Sequence, residues 1–348
     1  MKCAKPYHQA YWQSGIRVKS RFSRMRRAWL AGSAVSLAAW ATRGLAQAHY
    51  PTRPVRMIVA FPPGQAADMA ARLLAQQLQA IWGRSVVVEN RGGGMGVPAM
   101  MAAKGAAGDG HTMVMATTST LTTNPSLLRD LPYRPLVDFA AVSNVIQAPL
   151  LLVAHRAFPA RTLAEFLGLA RTPGSRLPIA TPGQGTSQHL ILELFAARAA
   201  FGFEHLAYKG SGPAVMDVVA GQVPLMLDSV ASSLPHINAG KLRALAVTTP
   251  QRIPQLPDTP TIVESGFPGV EGFGWAGLVV PVSTPPPLVQ RISADVRKAL
   301  EAPSLRAAFA ARSVIADPRT PDEFMQFMHS ETAKWARVIQ EAGIRVEG

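Results

Sequence analysis

Short β-branched runs alternate with helix-length amphipathic stretches along most of this chain, and that alternation constrains the fold more than any other feature. Val55–Phe61 (VRMIVAF), Ser85–Glu89 (SVVVE), Thr112–Ala116 and Ala148–Ala154 have the length and apolar content of strands. Between the first two, Asp68–Trp82 repeats at helical spacing, with Leu73, Leu74, Leu78 and Ile81 expected on one face. Strand–helix–strand units need crossover connections, so the expectation is an α/β architecture with mostly parallel sheets. Thr162 with Glu165, and Thr320 with Glu323, fit helix-capping boxes, the second with Pro321 at the first helical position. The helix after Thr320 should turn Phe324, Phe327, Met328, Trp335, Val338 and Ile339 to a core. Thr284 before Pro285 is another expected helix start. The Pro- and Gly-rich stretch Thr249–Phe273 is expected to be a packed connection between two lobes.

Hydrophobic residues make up 48% of the 348 and charged residues 16%, which allows a buried core and argues against global disorder. The formal charge of +14 invites a nucleic-acid reading until its location is considered. Residues 1–48 hold nine basic side chains and no acidic one, leaving 26 basic against 21 acidic residues, a net of +5, for the rest. No Lys/Arg run in that remainder could track a phosphate backbone, so no nucleic-acid partner is expected. The basic excess belongs to an expected signal peptide over 1–48: Arg24, Arg26 and Arg27, an apolar run from Ala28 to Ala41, and a small-x-small site at Ala46-Gln47-Ala48. The run is short for a membrane span. Arg26-Arg27-Ala28-Trp29-Leu30 is similar to a twin-arginine signal, and Met25 is an alternative start. Cleavage before His49 implies a periplasmic protein.

The only cysteine, Cys3, lies in that segment, so the exported chain has no disulfide, cysteine metal site or thiol nucleophile. The eight histidines show no metal pair at i, i+4 spacing, and neither a metal nor a cofactor is expected. A Gly-x-Ser-x-Gly elbow is absent; Ser187 precedes His189 by two residues, which does not build a triad. Gly92-Gly93-Gly94-Met95-Gly96 lacks the small residue a dinucleotide loop needs at its sixth position, where Val97 stands. No enzymatic activity is expected.

Ligands of open α/β sheets bind beyond the carboxyl ends of strands, where loops enter helix N-termini. Four junctions have suitable chemistry. The first, Phe61 to Asp68, offers Phe61, Gly64, Gln65, Ala66 and Ala67 close to backbone N–H groups, with Asp68 as the candidate cap. The second, Ala116 to Pro125, is rich in hydroxyls and amides, with Thr118, Ser119 and Asn124 as candidates. The third, Thr181 to His189, contributes Gly185, Thr186 and Ser187 at a helix start. The fourth, Tyr208 to Pro213, contributes Tyr208 and holds Lys209, the one cation of these loops. Small residues, hydroxyls and helix ends without Arg forks suit a carboxylate better than a phosphate.

These residues resemble the Bug family, the periplasmic receptors of tripartite tricarboxylate transport systems. The likeness runs from Tyr50 to Ile344 through Phe61-Pro62-Pro63-Gly64, Val86-Val87-Val88-Glu89-Asn90-Arg91 and Asn124-Pro125-Ser126-Leu127. It continues through Gly185-Thr186-Ser187-Gln188-His189-Leu190, Tyr208-Lys209-Gly210, Gly240 to Val247, Lys334-Trp335-Ala336 and Glu341 to Ile344. The resemblance implies a two-lobed, type II-like Venus flytrap with two crossover strands, its lobes formed by 49–149 plus 271–348 and by 150–270. It implies a monomer binding a small organic acid or amino-acid-like carboxylate, partnered by membrane transporter subunits or a sensor kinase. It further implies ligand contact by Gly64, Ala66, Ala67, Asp68, Ser119, Asn124, Thr186, Ser187 and Asp228. Gln65 stands where the family usually has Gly, and Ser229 where it usually has Asn, and both departures bear on ligand choice.

Overall fold

A computed structural model describes residues 50–344. The expected signal segment and cleavage site lie outside them. Strand β1 (Val55–Val59) leads into helix α1 (Ala66–Trp82), β2 (Val86–Asn90), α2 (Val97–Lys104) and β3 (Thr112–Thr117). A π-helical turn (Ser119–Thr123) and short helices α3 (Asn124–Leu127) and α4 (Pro135–Asp138) precede the 17-residue strand β4 (Phe139–His155). Then follow α5 (Leu163–Ala170), β5 (Leu177–Thr181), α6 (Ser187–Ala199), β6 (Phe203–Ala207), α7 (Ser211–Val219), β7 (Leu225–Ser229), α8 (Val230–Asn238) and β8 (Leu242–Val247). The last elements of the described residues are β9 (Phe273–Pro281), α9 (Pro286–Glu301), α10 (Pro303–Ala310), β10 (Ile315–Ala316) and α11 (Pro321–Glu341).

The ten strands form one curled sheet of order β2-β1-β3-β9-β4-β7-β5-β6, with β10 and β8 also pairing β4. The outer strands are parallel, as β-α-β units require. Every pairing of β4 is antiparallel, which corrects the mostly parallel expectation. Strand β4 pairs β9 from Phe139 to Pro149, then β7 and β8 from Leu150 to His155. Thr248 ties this change of partners to the start of β9: its N–H donates to Leu150 O at 2.9 Å and its hydroxyl to Gly272 O at 2.6 Å. The Thr249–Phe273 connection packs, burying Ile253, Ile262 and Val270.

Helix α1 buries Ala70, Ala71, Leu74, Ala75 and Leu78 and ends on Gly83 in the left-handed conformation. Ile81, expected on the buried face, is 38% exposed and Leu73 only half-buried, because the buried face is centred on Ala67, Ala71, Leu74, Ala75 and Leu78. Thr320 and Glu323 form the expected capping box of α11. Phe324 and Met328 of α11 pack with Ile58, Val114 and Trp275, whereas Trp335, Val338 and Ile339 pack with Leu190 and Phe195. One helix thus braces the cores on both sides of the β4 switch. Thr284 does not cap α9; Pro285 holds that position, and the Thr284 N–H folds back to Pro281 O.

His189, in the first turn of α6, stacks on His205 of β6 with ring centres 3.9 Å apart and planes 7° from parallel. His205 Nε2 shares a 2.7 Å hydrogen bond with Thr181 Oγ1. Burial, reinforced by His189 beside it, lowers the His205 pKa to about 3. A folded-state pKa below the unfolded value of about 6.5 contributes stability above that value, lost as pH falls toward 3. Urea unfolding at pH 7 and pH 5 should show a loss of about 2 kcal/mol from this ring, which His205→Asn should abolish. An equal loss in the variant would contradict the assignment.

Candidate functional site

Helices α1, α6, α7 and α8 start from the carboxyl ends of β1, β5, β6 and β7, and their first turns meet at one pocket. The pocket is a cavity of about 60 Å³. Gln65 occupies the N-cap position of α1 in extended conformation and makes no side-chain cap. The N–H groups of Ala66 and Ala67, which no helical carbonyl can reach, therefore border the cavity without a capping oxygen. Phe61, Gln65, Ala66 and Ala67 all line it.

Asp68 does not cap from the N-cap position. It lies inside the first turn, 4% exposed, and accepts from the Gly64 N–H at 3.1 Å, Arg72 Nε at 3.1 Å and Asn90 Nδ2 at 2.8 Å. Burial pushes its pKa up, but Arg72, Asn90 and Gly64 outweigh that and hold it below the ordinary carboxylate value. Gly64 and Asp68 therefore shape the loop and lie outside the cavity lining.

Thr118 and Ser119 reach the cavity from the turn after β3. Thr118 Oγ1 accepts from the Trp275 backbone N–H at 3.3 Å. Asn124 is fully buried and away from the lining; its amide donates to Met95 O at 2.9 Å and Tyr133 Oη at 3.1 Å. Gly185 also stands back, with φ +72° and its N–H on His189 Nδ1. Thr186 caps α6 by accepting from the His189 N–H at 3.3 Å, and both Thr186 and Ser187 line the cavity. Ser187 Oγ donates to Gln188 Oε1 at 3.1 Å, and the His189 ring is engaged with Gly185, so the two residues do not form a nucleophile–base pair.

Asp228 is fully buried behind this wall. Its Oδ1 accepts from Gln188 Nε2 at 3.2 Å, Ser211 Oγ at 3.0 Å and the Ser229 N–H at 2.7 Å, while Oδ2 accepts from Ser232 Oγ at 2.7 Å. Burial raises its pKa, and these four donors oppose the rise. Gln188, Ser211 and Ser229 line the cavity, so Asp228 acts by positioning the starts of α6, α7 and α8. Tyr208, bonded to Asp217 at 2.6 Å, lines a second chamber outside the cavity.

The sequence reading missed the floor. Ile146, Ala148 and Leu150 of β4, and Gly274, Trp275 and Ala276 of β9, close the cavity from below. Trp275 is fixed from behind by Glu331 of α11, which accepts its indole N–H at 3.0 Å and that of Trp335 at 2.9 Å. A tryptophan between two small residues in a strand was the available signal. None of the lining residues is charged. Among the described residues no cluster of His, Cys, Asp and Glu could hold a metal, and no helix is long and apolar enough to cross a membrane.

The family described as the tripartite tricarboxylate transporter family receptor matches residues 70–344. Protein BugT of Bordetella pertussis is 34% identical, over 86% of this chain and 92% of its own. Rpa4515 of R. palustris, solved with adipate, superposes with a TM-score of 0.82 at 32% identity, over 85% of this chain and 99% of its own. MatC from Rhodopseudomonas palustris, with bound malate, gives 0.77 at 30% identity, over 83% and 100%. The curled mixed sheet is the fold of periplasmic solute-binding proteins. With a family match over most of its length and relatives of this similarity, the chain belongs to the tripartite tricarboxylate transporter receptor family, the Bug proteins.

Proposed function

We propose that this chain is an exported, periplasmic receptor that captures a carboxylate-bearing solute, chemically unchanged, for a tripartite tricarboxylate-type transporter. The observation that carries the proposal is the convergence of four helix N-termini on a cavity without a charged lining residue. A helix N-terminus favours an anion by about 0.3–1 kcal/mol, and more when partly buried. A carboxylate held by N–H groups and hydroxyls needs no guanidinium, whereas phosphate sites usually recruit Arg or Lys. The adipate and malate found in relatives are acids of this class.

The two lobes are taken as 49–149 plus 271–348 and 150–270. Phe61, Gln65, Ala66, Ala67 and Thr117 to Ser119 then face Thr186 to Gln188, Ser211 and Ser229 across the cavity, above β4 and β9. A ligand bridging both walls would favour a closed arrangement by its differential contacts. The Thr248 tie lies where both chain segments pass between lobes, which suits a hinge.

Thermal unfolding in a panel of mono- and dicarboxylates should show stabilisation that grows as RT ln(1 + [L]/Kd), with the acid recovered intact by mass spectrometry. Conversion of the acid to a product would overturn the receptor reading. Thr186→Ala with Ser187→Ala should weaken binding about tenfold or more, at a cost of about 0.5–2 kcal/mol in stability from the lost cap. Unchanged affinity would remove this loop from the site. Asp228→Ala should weaken binding comparably while leaving Gln188 and Ser211 without their acceptor, a further cost of about 1–3 kcal/mol in denaturant unfolding.

A further inference from the structure

The inner cavity has room for the head group of an organic acid and little of its body. Its volume of about 60 Å³, at roughly 10–15 Å³ per water-sized sphere, admits a carboxylate and one or two carbons. Phe61, Ser119 and Thr186 line it and also line a second chamber of about 790 Å³. That volume lies in the range of roughly 300–1,000 Å³ typical of small-molecule sites. The chamber walls are mainly carbon, from Pro62, Met95, Val97, Leu128, Pro132 and Pro182.

Met95 has φ 53°, a left-handed conformation uncommon for a residue other than glycine. The turn thereby brings its side chain up to Gly185, where an added Cβ would lie 2.7 Å from Met95 Cε. An apolar wall is thus built from both sides of the cleft. At the rim, Arg129 and Lys209 are exposed and form no ion pair among the described residues, with Asp130 the one acidic lining residue. A modest positive balance at the mouth of an apolar chamber complements an amphipathic anion.

Resting on the carboxylate-receptor reading, we infer that the solute is an aryl or bulky branched carboxylate. Its carboxylate occupies the inner cavity and its apolar body fills the second chamber. Acids of three or four carbons leave that chamber to water and bind weakly.

Calorimetric titration of the full exported chain with propionate, 2-naphthoate and 2-naphthamide tests this. Naphthoate should bind on the order of 30-fold tighter than propionate or more, with the more negative heat-capacity change of apolar burial, and naphthamide should bind more weakly than naphthoate. Propionate binding as tightly as naphthoate would overturn the body chamber while leaving the carboxylate receptor intact. Naphthamide binding as tightly as naphthoate would overturn the carboxylate reading and this inference with it. Leu128→Trp, which fills the chamber, should lower the naphthoate-to-propionate affinity ratio about tenfold; an unchanged ratio in a folded variant would overturn the assignment of the chamber.

Discussion

Strand β4 is the constraint on which the rest of the molecule depends. It is one continuous strand, yet its neighbours change completely between Pro149 and Leu150. A strand that pairs with one set of partners and then another couples two sheet sections along one line. The antiparallel direction of β9 follows, because the chain must return beside β4 after building the second section. The cavity sits on this line, with Ile146, Ala148 and Leu150 beneath it. Helix α11 contributes to the cores on both sides and anchors Trp275 through Glu331, so the floor is held from behind as well as from the strands.

The chemistry above that floor is organised by groups that do not face it. Asp228 is buried with four donors around it, and three of those donors belong to residues at the cavity wall. A buried carboxylate without hydrogen bonds would be costly; here the bonds reduce that cost and fix three helix starts relative to one another. Asp68 plays the same part on the other wall, drawing Gly64, Arg72 and Asn90 together below the uncapped start of α1. Both carboxyl groups spend their acceptors inside the protein, leaving the surface that an anion would approach to N–H groups and hydroxyls.

Much of this was legible in the sequence because loops after strands carry ligand chemistry, and loop composition is visible in one dimension. Phe61, Gln65, Ala66, Ala67, Thr118, Ser119, Thr186 and Ser187 fall at the cavity from three junctions distant in the chain. Gly64, Asp68, Asn124, Gly185 and Asp228 share those junctions or the family likeness, but their polar groups bond within the protein. Sequence spacing does not distinguish a donor aimed at a ligand from one aimed at a neighbouring turn. The floor was hidden for another reason. Trp275 lies in a strand whose apolar run is explained by burial alone, and its place depends on which strand runs beside it. Strand direction failed likewise, since the alternation that marked the outer strands as parallel says nothing of a 17-residue strand shared by both sections.

On the proposed function, the cavity holds the solute as an anion on neutral donors. Carbon-13 NMR of carboxyl-labelled benzoate bound to the protein, titrated from neutral to acid pH, tests it most directly. Helix N-termini and hydroxyls that stabilise the carboxylate should lower the carboxyl pKa of the bound acid below that of free benzoate. A bound carboxyl that titrates above the free acid, or is already protonated near neutral pH, would contradict the account.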